Sequence, residues 1–298
     1  MRITFGSGQA AAMQDLEKVT AELDRRQREV SSGRRMQSPG DDPASWAAAI
    51  KERAGIASVD QYVRTADSAT SRLTVADTVL SDLVTKLTAA RSAALAGQGS
   101  VQTDQQREAT AQELEGLRDA VYDDLNATFG GTYLFSGGAG ITPPYVRNPD
   151  GTVSAYQGDA NELSVDVDRH RSVRISFDGR AVTLGTDTQD VFTTLDQLIT
   201  AVRTNDQPTI ATALTGVERA FSRVVTVQSG VGADLNALDD QRARLSEMKL
   251  AGQSRLSKDE DANMAESITG MQQADTAYQA ALGAIATRTR LSLMDYLK

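Results

Sequence analysis

Three pairs of adjacent carboxylates, Asp41-Asp42, Asp123-Asp124 and Asp239-Asp240, are the groups best suited to acid-base or metal chemistry, and a single histidine, His170, follows Asp166 and Asp168. Adjacent side chains diverge on a helix, so such pairs do not converge on one proton or ion. Asp42 stands directly before Pro43, where a carboxylate accepts from free backbone N–H groups and proline fills a position that needs no N–H. Helix capping is therefore expected of the first pair and solvated charge of the other two. His170 lies among alternating strand residues without a second nitrogen ligand or a nucleophile to activate. Gly6-Ser7-Gly8 follows no strand, and Gly137 to Gly140 runs into Pro143-Pro144 instead of a helix, so neither has the setting of a phosphate loop. The chain has no cysteine, which removes thiolate catalysis, disulfides and cysteine-held metals. No enzyme signature is left, and no cofactor or metal is expected.

The elements that would position a site are mostly helical. Only 5% of the 298 residues are aromatic, thin for a globular enzyme, and the composition favours long exposed helices with small residues in their seams. The net charge of -9 repels phosphate backbones and anionic membrane surfaces, so neither nucleic acid nor membrane is an expected partner. Arg25, Arg26 and Arg28 form the one basic cluster at the start, but Glu22, Asp24 and Glu29 interleave with it. The opening Met1-Arg2-Ile3-Thr4 lacks the apolar core of a cleavable signal peptide, and no apolar run has the length of a membrane span.

Apolar residues at heptad spacing mark both ends. The first stripe is Leu16, Val19, Leu23, Val30, with Arg26 in the skipped position; the last is Met264, Ile268, Met271, Tyr278, Leu282, Ile285, with Asp275 skipped. About four buried side chains at roughly 1.5–3 kcal/mol each do not offset the ordering of a helix of this length, so each end needs a partner. Arg26 and Asp275 are expected to neutralise one another across antiparallel helices. The first helix is predicted over about Gln9 to Val30, closing at Gly33, and the second from Ala44 to about Ala96, with Trp46, Ile50, Ile56, Val59, Val63, Ala66, Leu73, Leu80, Val84 and Leu87 on its apolar side. Gly97 to Thr103 forms a bend, and a third helix over Asp104 to Asn126 buries Ala111, Leu114, Val121 and Leu125.

After Phe129 the period changes from helical to two. Leu163, Val165, Val167 and Val173, Ile175, Phe177 alternate with polar residues, Asn148 to Gly151 is a turn, Asp178-Gly179 reads as a hairpin turn, and Val182 and Leu184 continue a return strand. Helix resumes near Asp190, breaks at Asn205 to Pro208, and continues into the last stripe. The fold class is mainly α: a long antiparallel helical hairpin or coiled-coil bundle formed by the two arms, with a small antiparallel β insert. Residues 1–43 are expected to pair with 255–298 and residues 44–130 with 190–254, leaving 131–189 as the insert.

At Val30-Ser31-Ser32-Gly33-Arg34-Arg35, followed by Ser38-Pro39-Gly40-Asp41-Asp42-Pro43-Ala44, the sequence resembles the amino-terminal signature of bacterial flagellins and their junction-protein relatives. The closing run Arg290 to Leu297 is similar to that family's carboxyl end. Met1 to Thr4, Gly131-Thr132-Tyr133-Leu134-Phe135-Ser136-Gly137, Tyr156-Gln157-Gly158-Asp159, Val191 to Leu198 and Gly230 to Ala233 are more like the hook–filament junction branch than the filament branch. Gly40 and Trp46 depart from the family pattern. The resemblance implies a non-catalytic structural subunit of the flagellum, secreted unfolded through the flagellar type III export channel. Its implied partners are hook-associated protein 1, flagellin, copies of itself in a ring, and a cytoplasmic export chaperone on the C-terminal helix. Ser32, Gly33, Arg34, Asp41, Asp42 and Pro43 are its loop motif, and the two terminal stripes are its assembly residues. A short flagellin forming the filament itself and a soluble coiled-coil binding module stay open on the residues alone.

Overall fold

The computed structural model describes residues 5–98 and 103–296. Among these described residues, seven helices and two small sheets follow in the order α1 (Phe5–Ser32), α2 (Pro43–Gly97), α3 (Asp104–Leu125), β1 (Thr128–Phe129), β2 (Thr132–Tyr133), β3 (Ser164–Asp168), β4 (Arg171–Arg174), α4 (Gly179–Thr183), α5 (Val191–Thr204), α6 (Gln207–Glu260) and α7 (Met264–Tyr296). The chain is mainly α with a small antiparallel β component, as expected. No helix among the described residues is long and apolar enough to cross a membrane.

The helix ends are set by local chemistry. The Asp42 carboxylate accepts from the Ser45 N–H at 3.1 Å, capping α2. Thr103 and Gln106 form a reciprocal capping box on α3. Asp190 caps α5 through the Thr193 N–H at 2.7 Å, and Asn205, in the left-handed conformation at φ 55°, closes it. Between α6 and α7 the helix breaks without glycine or proline. Asn263 Oδ1 accepts from the Ala265 N–H at 3.2 Å and starts α7 afresh, so α6 runs past the division at residue 254 and stops at Glu260.

The described residues fall into two compact units, residues 60–246 and residues 1–59 with 247–298. In the first, a seam of α2 runs through the buried Ala66, Ala69, Leu73, Ala76, Leu80, Leu83, Leu87 and Ala90, and one of α6 through the buried Ile210, Ala213, Val217, Ala220, Val224, Val231 and Leu238. Steps of three and four, or their sum, separate successive members, the seam of a coiled coil. Small alanines stand among the larger side chains of both seams, which lets helices approach closely. Of the residues expected on the apolar side of α2, Ile50 is instead 52% exposed. The buried residues of α3 are the four expected, and α3 packs on α5.

The β-rich stretch shares the same apolar core through Leu134, Phe135, Tyr145, Val167, Val173 and Phe177. β1 and β2 form a hairpin whose turn is Gly130-Gly131, both at positive φ, and β3 pairs antiparallel with β4. Asn148 to Gly151 is a turn, with the Gly151 N–H donating to the Asn148 carbonyl at 3.0 Å. Asp178-Gly179 is not a hairpin turn. Asp178 Oδ1 accepts from the Arg180 N–H at 2.9 Å and caps the short α4, so Val182 lies in a helix and Leu184 at its C-cap, not in a return strand. An aspartate followed by glycine suits both motifs, and here the free N–H groups of α4 are what it satisfies.

Candidate assembly surface

In the unit formed by residues 1–59 and 247–298, α1 and α7 pack against one another. Ser267 donates its hydroxyl to Glu29 at 3.0 Å, and a Cβ on Gly270 would lie 3.3 Å from the Arg26 side chain. Partner numbers that rise on one helix as they fall on the other make the pair antiparallel. On α1, Leu23 is buried and Leu16, Val19, Arg26 and Val30 are half-buried, as a stripe at this spacing requires. Arg26 is held by its own helix, at 3.0 Å from Glu22 and 3.1 Å from Glu29, while Asp275 accepts from Gln279 at 3.0 Å. The expected Arg26–Asp275 pair is therefore absent, because acids one turn away reach the guanidinium first.

On α7 the single stripe read from the sequence divides into two rows. Ser267 and Ala274 are buried, and Met271, Tyr278, Ala281 and Ile285 are half-buried, in steps of four and three. That row is occupied by α1. The second row, Met264, Ile268 and Leu282, is 43%, 40% and 42% exposed. Each of these side chains withholds much of the roughly 1.5–3 kcal/mol that full burial gives.

The loop joining α1 to α2 is built by the family-like motif. Gly33, at φ 67°, ends α1 by donating its N–H to the Glu29 carbonyl at 3.0 Å. The Ser32 hydroxyl accepts from the Arg34 N–H at 3.2 Å and from Gln37 at 3.0 Å. The Asp41 carboxylate accepts from the Gln37 and Ser38 N–H groups, each at 2.9 Å, and these donors pull its pKa below the ordinary carboxylate value. The same loop is tied to the junction of α6 and α7. Arg35 N–H donates to the Glu260 carbonyl at 2.7 Å, Ala262 N–H donates to the Gly33 carbonyl at 2.9 Å, and buried Glu260 meets Arg53 and, at 4.0 Å, Arg34. Pro43 is exposed at the start of α2.

The junction-like motifs of the other unit also meet. Tyr156 donates its hydroxyl to the Phe135 carbonyl at 3.0 Å, and its ring lies 5.7 Å from that of Tyr145. Burial pushes the Tyr156 pKa up to about 12. Asp159 N–H donates to the Ser136 carbonyl at 3.1 Å, and Gly137 N–H to the Phe177 carbonyl at 3.0 Å. Arg72 of α2 joins this cluster to both hairpins through Thr132, Tyr133 and Ile175. None of these links was read from the sequence, where the two motifs carried only a family resemblance.

Of the other chemically suggestive groups, Asp124 pairs with Lys86 at 2.5 Å, Asp239 lies 3.5 Å from Arg242, and His170 is exposed at the turn between β3 and β4. Met1 to Thr4 and Leu297 of the family-like runs lie outside the described residues.

Residues 7–139 match the family model for the bacterial flagellin N-terminal helical region. The flagellar hook-associated protein 3 of Escherichia coli strain K12 is 26% identical over 293 residues, covering 91% of both chains. That of Salmonella typhimurium is 27% identical over 272 residues, covering 83% of this chain and 84% of the relative. Among solved structures, a flagellar hook-associated protein from Vibrio parahaemolyticus superposes with a TM-score of 0.69 at 22% identity, covering 74% of this chain and all of that one. Xanthomonas campestris FlgL gives 0.63 at 16% identity, covering 69% and 99%. The resemblance drawn from the loop motif and the junction-like runs is borne out by these matches.

Proposed function

We propose, on the premise that this chain carries a flagellin N-terminal helical region over residues 7–139, that it is a structural subunit joining the flagellar hook to its filament. In this reading copies of the chain form a ring between hook-associated protein 1 and flagellin. The single observation that carries the reading is the outward row Met264, Ile268 and Leu282, which α1 leaves uncovered and which a neighbouring subunit would complete. Alignment with hook-associated protein 3 over most of both lengths supports the junction over the filament. Secretion through the flagellar type III apparatus, with a cytoplasmic chaperone on the C-terminal helix, belongs to the same proposal. Pairing between neighbours would offset the ordering of the terminal helices.

The test is deletion of the gene followed by complementation. Cells without this chain are expected to keep their hooks and release flagellin into the medium, and the wild-type gene is expected to restore attached filaments. Normal filaments in the deletion strain would overturn the proposal. Purified chain growing unaided into long filaments would favour a short flagellin instead.

A further inference from the structure

A cavity of about 380 Å³ in the unit of residues 60–246 is lined by Gln61, Arg64, Ser68 and Arg72 of α2, with Val165 of β3 and Ile175 opposite. Arg72 donates from Nε to the Ile175 carbonyl, from Nη1 to Thr132 Oγ1 at 2.8 Å and from Nη2 to the Tyr133 carbonyl at 3.2 Å. All three acceptors are neutral, and of the five guanidinium N–H groups two are left over. Arg64 donates to Gln61 Oε1 at 2.7 Å, again a neutral acceptor. Arg118, Arg174, Arg203 and Arg223 of the same unit each meet a carboxylate. Burial also lowers the Arg72 pKa from the ordinary guanidinium value, a cost that an anion placed beside it would relieve.

We propose that this cavity receives the carboxylate of a glutamate from a second copy of this chain, held between Arg64 and Arg72. The proposal rests on the assembly reading above and names a contact within it. Charge complementarity supports the occupant: the chain has 40 acidic against 31 basic residues. Four exposed glutamates, Glu17, Glu113, Glu247 and Glu266, have no cation partner among the described residues. A glutamate places two methylenes along Val165 and Ile175 and carries its carboxylate to the guanidiniums.

The test uses Arg64→Glu and Ser68→Asp, both at exposed positions clear of the Arg72 hydrogen bonds. Each variant is introduced into the deletion strain as the full chain, and the copies retained on isolated flagella are counted. Leu282→Asp serves as the control for assembly itself. Both cavity variants are expected to melt with the wild-type protein and to lose at least about tenfold in retained copies, because like charge is brought to the contact. Reversal of one of the four glutamates to arginine is expected to give the same loss, and combination with Arg64→Glu to restore retention. Wild-type retention of both cavity variants, with Leu282→Asp lost, overturns this contact and leaves the junction reading standing. Wild-type retention of all three overturns both. A loss that no glutamate reversal restores overturns the assigned occupant.

Discussion

Gly137 has φ 64°, and a Cβ built on it would lie 1.9 Å from the Asp159 carbonyl oxygen. The conformation and the space both demand glycine at this position. Gly158 is similarly confined, by the Tyr156 hydroxyl and the Ser136 carbonyl. Gly137→Ala is therefore expected to destabilise the unit of residues 60–246 by about 3 kcal/mol or more, because the Asp159 backbone must move away from Ser136. Thermal melting followed by circular dichroism checks this; an unchanged midpoint would contradict the steric argument. At the residue scale the Gly-Thr-Tyr and Tyr-Gln-Gly-Asp runs stood out in the sequence only as a family resemblance. The sequence did not disclose that the two runs close on each other, since nothing local in either run encodes a contact made some twenty residues away.

The helices were the most legible elements. Asp42-Pro43 marked the start of α2, and Asn205 to Pro208 marked the break before α6, because caps and breakers act on the nearest turn. The buried set of α3 followed from spacing alone. Two errors had a common origin in short-range ambiguity: Asp178-Gly179 was compatible with a turn or a cap, and the α7 stripe contained two rows within one heptad pattern. The break after Glu260 was missed because Asn263 caps without any glycine or proline nearby. The seam of α2 gives the prediction at this scale. Leu80→Ala, at a fully buried position, is expected to cost about 2–5 kcal/mol, whereas Ile50→Ala, at a half-exposed one, should stay within about 1 kcal/mol. Urea unfolding of both variants tests the contrast, and equal losses would refute the assigned seam.

At the scale of the whole chain, each compact unit has its own test. Leu282→Asp alters an outward position of α7, in the unit of residues 1–59 with 247–298. It is expected to leave the main thermal transition within about 1 °C of wild type while abolishing attachment to flagella, since a carboxylate would be desolvated in any apolar seam between copies. A variant that melts normally and still attaches would mean that the outward row is not a contact. The apolar stripes of α1 and α7 were legible from heptad spacing. Which of their residues the chain itself covers was not, because heptad spacing alone does not say which row of α7 faces α1.

The antiparallel pairing of α1 with α7 also sets a timetable. α1 ends at Ser32 and α7 begins at Met264, so all the residues between them must leave the ribosome before α1 can meet its mate. At about 5–20 residues per second, that interval is roughly 10–50 s. During synthesis α1 waits while the intervening residues are made, and the appearance of α7 sets the earliest moment at which the two can join.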